Sequence, residues 1–336
     1  MPRARRFDVF GMCNALFDIQ AEVTDSVLDA HALGKGGMML ISEEEQRALV
    51  PQVYHAIVNA AAGGSGANTM IGIAQLGGTA CFTSRVGPDE HGRLYRASLA
   101  DQGVQPNLSP GEGDTGISLI LITPDAQRTM CTYLGMARNL RAVDVSLEDL
   151  RASQYLYVTG YLWDTEAQKE AVIHAMAEAR RSDVQVAFSL SDPFCVGRHQ
   201  DDFRRILQEY ATVVFANAEE AIGLTGAATP HEALGELARL VDDAGGVAAV
   251  TLDRNGSLLQ QGNDVYEIPV YPVHAIDTTG AGDMYAAGLL YGLTHNLPLP
   301  AAGRIAAYCA AQVVAHLGPR VPSLDREAIA VIASGI

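Results

Sequence analysis

The sequence is poor in positive charge: 23 Lys and Arg stand against 39 Asp and Glu in 336 residues, a formal net charge of −16. Nucleic acid and anionic membranes would be repelled at long range, so neither is the expected partner. An anionic ligand must instead be held by local dipoles and a few placed cations. Cysteine is scarce. Cys13, Cys81, Cys131, Cys195 and Cys309 are odd in number, far apart and without a Cys-x-x-Cys pair, which argues for reduced core thiols in a cytoplasmic protein and against disulfides or structural zinc. Long apolar runs are missing too, since the most apolar stretch, Met284 to Leu293, is too short to span a bilayer. The basic start, Met1 to Arg6, leads into an apolar run broken by Asp8, Asn14 and Asp18, a poor signal peptide. No Gly-x-x-x-x-Gly-Lys-Ser/Thr loop occurs, and Gly280-x-Gly282 is followed by Tyr285 where a dinucleotide fingerprint needs a third glycine or alanine. Both absences weaken P-loop and nicotinamide-dependent oxidoreductase readings.

What is present is globular: 48% hydrophobic residues, 18% charged and a mean hydropathy of +0.09. Short apolar runs alternate with amphipathic stretches, the pattern of a mainly parallel sheet flanked by helices. Strands are expected over 7–11, 79–84, 155–159, 184–189, 212–216, 247–252 and 265–270, and helices over 68–76, 90–102, 165–181, 231–244 and 283–295. Ser42 followed by Glu45 is a capping box. Two segments interrupt the alternation: a strand-like run over 35–41, and a hairpin of 117–122 with 129–134 around Pro124-Asp125-Ala126-Gln127. We expect one α/β unit over 1–336 with a small β lid from about 17–41 and 108–136. An exposed lid edge is a place where a second copy could pair.

The strongest local signal is Asp277-Thr278-Thr279-Gly280-Ala281-Gly282-Asp283. Gly280, Ala281 and Gly282 turn the backbone tightly and leave amides bare, and the helix that follows adds partial positive charge, which together make an anion cradle. Asp283 at that helix start can take or orient the proton of an attacking hydroxyl; it can equally be a favourable first-turn acid. Gly63-Gly64-Ser65-Gly66-Ala67-Asn68 offers amides, the Ser65 hydroxyl and the Asn68 amide to a polyhydroxylated ligand, or is a loop ending at a cap. Asp18 can accept from two vicinal hydroxyls. The Asn217 and Glu220 pair reads first as a helix cap, and second as a carboxylate that orders water around Mg²⁺.

These segments, in this order, resemble the PfkB family of carbohydrate and nucleoside kinases, and the resemblance takes in Leu76-Gly77-Gly78 and Val86-Gly87-Pro88-Asp89-Glu90-His91-Gly92 as well. It implies a ribokinase-like three-layer α/β/α fold with a small β lid, and transfer of the γ-phosphoryl of MgATP to an alcohol. By that resemblance Asp283 is the base and Gly280, Ala281 and Gly282 the anion hole. Asp18, Gly64, Ser65 and Asn68 would then contact substrate, and Asn217 with Glu220 would order Mg²⁺ through water. Thr251, Asp253 and Gly256 fall where such kinases carry Thr-x-Gly-x-x-Gly near the nucleotide, with Asp253 in place of the first glycine. Some members bind K⁺ through carbonyls that map to Asp277, Thr279 and the loop at Gly318. Gly11 to Ile19 is similar to adenosine kinases in particular, which implies Leu16, Leu134 and Leu162 as walls around a base and Arg128 as a phosphate-facing lid arginine. The expected acceptor is a purine nucleoside, most of all adenosine, with free sugars such as ribose or fructose next and a non-catalytic nucleoside- or sugar-binding protein as the alternative of another class.

Overall fold

The computed structural model describes residues 5–125, 127–241 and 245–334. In chain order its strands are β1 (Phe7–Met12), β2 (Leu16–Glu22), β3 (Met38–Leu40), β4 (Ile57–Ala62), β5 (Ala80–Val86), β6 (Val104–Pro110), β7 (Thr115–Ile122), β8 (Arg128–Gly135), β9 (Ser153–Thr159), β10 (Gln185–Ser189), β11 (Val213–Asn217), β12 (Val247–Thr251), β13 (Ser257–Gln261) and β14 (Asp264–Ile268). Its helices are α1 (Asp25–Ala30), α2 (Glu43–Val53), α3 (Ser65–Leu76), α4 (Glu90–Asp101), α5 (Leu147–Arg151), α6 (Glu166–Arg181), α7 (Pro193–Glu209), α8 (Ala218–Thr225), α9 (Pro230–Leu240), α10 (Ala281–Thr294), α11 (Leu299–Val314) and α12 (Arg326–Ser334).

Nine strands form one sheet in the order β14-β13-β12-β11-β10-β9-β1-β5-β6. From β6 to β12 every neighbour is parallel, and β13 and β14 close one edge as an antiparallel pair. Parallel strands covered on both faces should be apolar throughout, and β5 is buried at all seven residues. Alternate side chains feed opposite layers. Val213 and Phe215 join a core with residues of α3, α10 and α11, whereas Val214 and Ala216 join another with residues of α6, α7, α8 and α9. The result is a three-layer α/β/α sandwich.

A second sheet, β3-β8-β7-β2-β4, draws β2, β3, β7 and β8 from the segments expected to form a lid, and adds β4. Its base is tied to the main sheet by Asp89, whose carboxylate accepts from the Thr115 amide at 2.8 Å and the Thr115 hydroxyl at 2.6 Å. That is a structural use for the Val86 to Gly92 motif. β3 and β4 are its edges.

Several expectations change in detail. The run over 35–41 is a strand only at Met38–Leu40, because Lys35 to Gly37 form a turn in which Gly36 has φ +79° and its amide bonds Thr129 Oγ1. Strand 265–270 stops at Ile268, where Pro269 ends the ladder. α3 and α10 start three and two residues before the expected 68 and 283. α9 ends at Leu240, and residues 242–244 of the expected helix lie outside the described residues, as do Ala126 of the hairpin turn and Met1 to Ala4. The Ser42/Glu45 capping box is present on α2, and all five cysteines are buried and free.

Close packing of α10 places its first turn. A Cβ at Gly72 on α3 would meet the Ala287 Cβ at 2.7 Å, so the absent side chain lets α3 and α10 approach backbone to backbone. Ser65 and Asn68 at the start of α3 therefore arrive beside Asp283.

Candidate active site

Local sequence explains each part of the cluster. β2 carries Asp18 to Gly63, where a Cβ would sit 2.0 Å from an Asp18 oxygen, so a glycine is required at 63. The Gly63 amide donates to Leu16 O at 2.8 Å and its carbonyl accepts from Tyr95 Oη at 2.8 Å, which fixes the turn into α3. Gly280 sits at φ +79° with its Cα against Pro319, where a Cβ would lie 2.5 Å from the Pro319 carbonyl; only glycine combines that dihedral with that approach.

These turns bring four expected residues together. Ser65 Oγ donates to Asp283 Oδ1 at 2.5 Å and Asn68 Nδ2 donates to Asp283 Oδ2 at 2.9 Å. Burial pushes the Asp283 carboxyl up, opposed by the bonds from Ser65 and Asn68 and by the charge of Arg320. Asp18 is raised to about 7 by burial, with Arg320 pulling it down and Asp283 pushing it up. Two carboxylates that feel each other and share one arginine can hold hydroxyls and manage a proton. The amides of Gly282 and Asp283 have no hydrogen-bond partner among the described residues, whereas the Ala281 and Met284 amides bond Thr278 and Gly280. A helix start with free amides suits an anion.

Asp277 organises the approach to that turn. Its carboxylate accepts from the Thr279 amide at 2.9 Å, the Gly318 amide at 2.7 Å and Arg128 at 2.6 Å. Burial pushes its pKa up, but these partners outweigh burial and hold it below the usual range. Arg128, expected to face phosphate, is thus spent on Asp277 and the Thr279 hydroxyl, and it joins β8 of the second sheet to the anion turn.

The other expected residues lie at neighbouring strand ends. Asn217 closes β11 and pairs in register with Thr251 at the end of β12. The Asn217/Glu220 pair is a complete capping box: Glu220 N donates to Asn217 Oδ1 at 2.8 Å, and the Glu220 carboxylate accepts from the Asn217 amide at 3.0 Å and from its Nδ2 at 2.7 Å. Glu220 is 5% exposed and raised by burial to about 7. Asp253 takes the left-handed φ of +50°, the conformation for which the motif uses glycine, and Gly256 has φ +89°. Aspartate tolerates that region better than most residues, so the loop keeps its course.

Leu16 and Leu134 flank Gly116: a Cβ there would meet Leu16 Cδ2 at 2.7 Å and the Leu134 carbonyl at 2.6 Å. Leu134 also lines a cavity of about 1110 Å³, with Leu40, Met136, Arg138 and Thr165 among its walls. Leu162 is different. It is fully buried in the core of Trp163 and Phe188, because the turn after β9 directs it inward, and it presents no wall to a ligand.

Arg320 is the residue that sequence reasoning missed. Its Nε donates to Asn68 Oδ1 at 2.7 Å. The available signal was the scarcity of cations in an acidic chain, which makes one inside Gly318-Pro319-Arg320 worth placing.

Comparison with known proteins shows the family. The model of the pfkB family of carbohydrate kinases matches residues 32–326. The crystal structure of adenosine kinase from Sinorhizobium meliloti superposes with a TM-score of 0.88 at 34% identity, covering 96% of this chain and 98% of that one. A Rhizobium etli CFN 42 protein described as a "probable sugar kinase" superposes with a TM-score of 0.89 at 32% identity, covering 98% and 99%. Fructokinase from Klebsiella pneumoniae is 28% identical over 242 residues, 70% of this chain and 78% of its own. Among the described residues no helix is long and apolar enough to cross a membrane. The chain belongs to the PfkB family of carbohydrate kinases, phosphotransferases that act on a hydroxyl group with ATP as donor.

Proposed function

We propose that this kinase transfers the γ-phosphoryl of MgATP to the 5′-hydroxyl of a purine nucleoside, adenosine first. The observation that carries the reading is the Asp283 carboxylate, held by Ser65 and Asn68 beside two free amides at the start of α10. Asp283 takes the proton of the acceptor hydroxyl, and the turn Gly280-Ala281-Gly282 presents its amides to the moving phosphoryl. Asp18 accepts from the vicinal ribose hydroxyls. Each Asp283 oxygen has one protein donor and retains a lone pair for the acceptor. Positioning and charge stabilisation account for most of the rate in such transfers.

For a nucleoside over a free sugar, support comes from Leu134, which with Leu40 and Met136 gives the cavity an apolar flank that a planar base can use and a sugar does not need. The Sinorhizobium meliloti adenosine kinase, similar over nearly the whole chain, points the same way. The five-stranded sheet serves as a lid in this reading and Arg128 as its latch on the anion turn. Lid closure would exclude water as a competing acceptor.

Mg²⁺ fits as a largely hydrated ion. Among the described residues no three His, Cys, Asp or Glu side chains stand together as a cage, and both Glu220 oxygens are engaged in the α8 cap. Glu220 would act on the ion's water, and Mg²⁺ when bound neutralises phosphate charge. A K⁺ ion would find main-chain carbonyls at Asp277, Thr279 and the Gly318 loop, while the Asp277 side chain is engaged by Thr279, Gly318 and Arg128.

The test is ADP release with MgATP against adenosine, inosine, guanosine, cytidine, ribose and fructose. Adenosine should turn over fastest, and Asp283→Asn should lower kcat by roughly 10²- to 10⁴-fold. A preference for fructose or ribose would sink the nucleoside assignment. Full activity in Asp283→Asn would sink the mechanism, and no turnover on any acceptor would leave a binding protein.

A further inference from the structure

Arg320 lies between α11 and α12, in a segment that braces the site from behind. Gly318 donates its amide to Asp277, Pro319 lies against Gly280, and Arg320 reaches Asn68. The side chain is costly where it is. Nη1 lies 3.5 Å from Ser98 Oγ, Nη2 is buried with no hydrogen-bond partner among the described residues, and the Asp18 and Asp283 carboxylates act on the guanidinium through space, without a hydrogen bond. Burying a guanidinium with an unmade bond is unfavourable unless something else requires it.

The chemistry of the chain Arg320–Asn68–Asp283 supplies the requirement. Arginine only donates and an ionised aspartate only accepts, whereas an asparagine amide has one end of each kind. With Nε of Arg320 on Oδ1, the Asn68 Nδ2 must face Asp283, and the amide cannot turn over without breaking both bonds. We propose that Arg320 is a positioning residue for phosphoryl transfer, acting through Asn68 to aim the Asp283 carboxylate and setting the positive potential in which Asp283 and Asp18 work. This rests on the reading of Asp283 as the base.

The groups around the two carboxylates are few. Asp283 feels Ser65 and Asn68 from α3, Arg320 from the α11–α12 segment, Asp18 from β2, Cys13 after β1, Tyr157 on β9 and Tyr161 beyond it; Asp18 feels Arg320, Asp283 and Tyr95. Burial pushes the thiol and the three phenols up, so they stay neutral where carboxylates titrate. Arg320 is then the one facing cation among the described residues.

The experiment measures the pH dependence of kcat/KM for Arg320→Met and Arg320→Lys, with MgATP and adenosine or whichever panel acceptor turns over, beside melting temperatures. Removing the charge leaves burial unopposed, so in Arg320→Met the acidic limb should move to higher pH and kcat should fall about 10- to 100-fold. Arg320→Lys keeps a charge without the Nε geometry; its limb should stay near that of the parent while kcat falls. In an Asn68→Ala background, Arg320→Met should cost much less kcat than it does alone. The proposal is overturned if Arg320→Met leaves limb and kcat in place, or if activity falls only in step with melting temperature while the limb does not move. A full additional loss in the Asn68→Ala background would also overturn it. Asp283→Asn separates the two levels: if that variant is active the base assignment fails, and if it is inactive while the Arg320 limb is unmoved, only the role of Arg320 fails.

Discussion

Helices α8 and α10 both carry an acid at the third position of the first turn, and they use it in opposite ways. On α8 the cap is Asn217 and the acid Glu220; the pair bond each other's amides and close the helix end on itself. On α10 the cap is Gly280, which has no side chain to offer, and Asp283 is drawn away by Ser65 and Asn68 of α3. The amides of Gly282 and Asp283 are left without partners among the described residues. The dipole is the same in kind at both ends, so what separates a structural helix start from an anion site is whether the chain satisfies its own donors.

Closing the open end should have the largest effect after loss of Asp283 itself. Gly280→Ala must place a Cβ 2.5 Å from the Pro319 carbonyl at a positive φ, so the turn has to shift. We expect a stability loss of about 1–2 kcal/mol and a kcat reduction of about 10²-fold or more from the displaced amides, read by urea midpoint and steady-state kinetics. Gly282→Ala is the sharper control, because a Cβ there meets nothing within 4 Å. It should melt like the parent, and its kcat should drop about 10-fold as a methyl crowds the amide mouth. Equal loss in both variants would mean that the free amides are not the feature that matters.

Glu220 probes the closed end. Its carboxyl is raised to about 7 from an ordinary 4.5, chiefly by burial. A folded pKa above the unfolded one adds stability that is complete below about pH 4.5 and is lost as pH climbs through 7. Glu220→Gln stays neutral and keeps one acceptor for the Asn217 amide, giving up the bond from Asn217 Nδ2, so it should flatten that decline and be more stable than the parent at pH 8 by about 1 kcal/mol. The same change removes the charge proposed to order the Mg²⁺ water, so kcat/KM should fall several-fold with a higher Mg²⁺ requirement. Higher stability with unchanged kinetics would make α8 a purely structural helix start.

The sequence made the open end readable and the closed end ambiguous, for one reason. Gly-x-Gly-Asp behind a strand has few other uses, but Asn-x-x-Glu serves both as a cap and as a metal motif, and the structure shows the cap complete while leaving Glu220 buried beside the strand ends. Parallel strands were legible because both faces are buried and the apolar run is continuous, as in β5. β4 was not, since Ile-Val-Asn-Ala-Ala-Ala is short, small and mostly exposed, and only its pairing with β2 makes it a strand. Leu162 looked like a pocket wall from its neighbours in sequence, yet the turn after β9 sends it into the core. Arg320 was marked only by the scarcity of cations, because a lone arginine gains its role when folding brings it to Asn68.

The smallest expected effect concerns the loop beside the closed end. If α8 has spent its donors on itself, the nucleotide must lean on neighbouring turns, and Thr251 pairs with Asn217 at the next strand end. Asp253 in that loop holds φ +50° without being glycine, while Leu252 N bonds the Gly256 carbonyl at 2.7 Å and Asn255 N bonds that of Leu252 at 2.9 Å. The backbone thus already follows the course a glycine would take, at a strain that aspartate keeps modest. Asp253→Gly relieves that strain but loosens the unfolded chain, and the two nearly cancel, for a net change within about 0.5 kcal/mol. The KM for ATP should then move less than about twofold, since the geometry presented to the nucleotide is unchanged. A fall of about tenfold or more would instead show that the Asp253 carboxylate repels the phosphates, which would make this loop, and not only the start of α10, part of how the chain meets its anionic ligand.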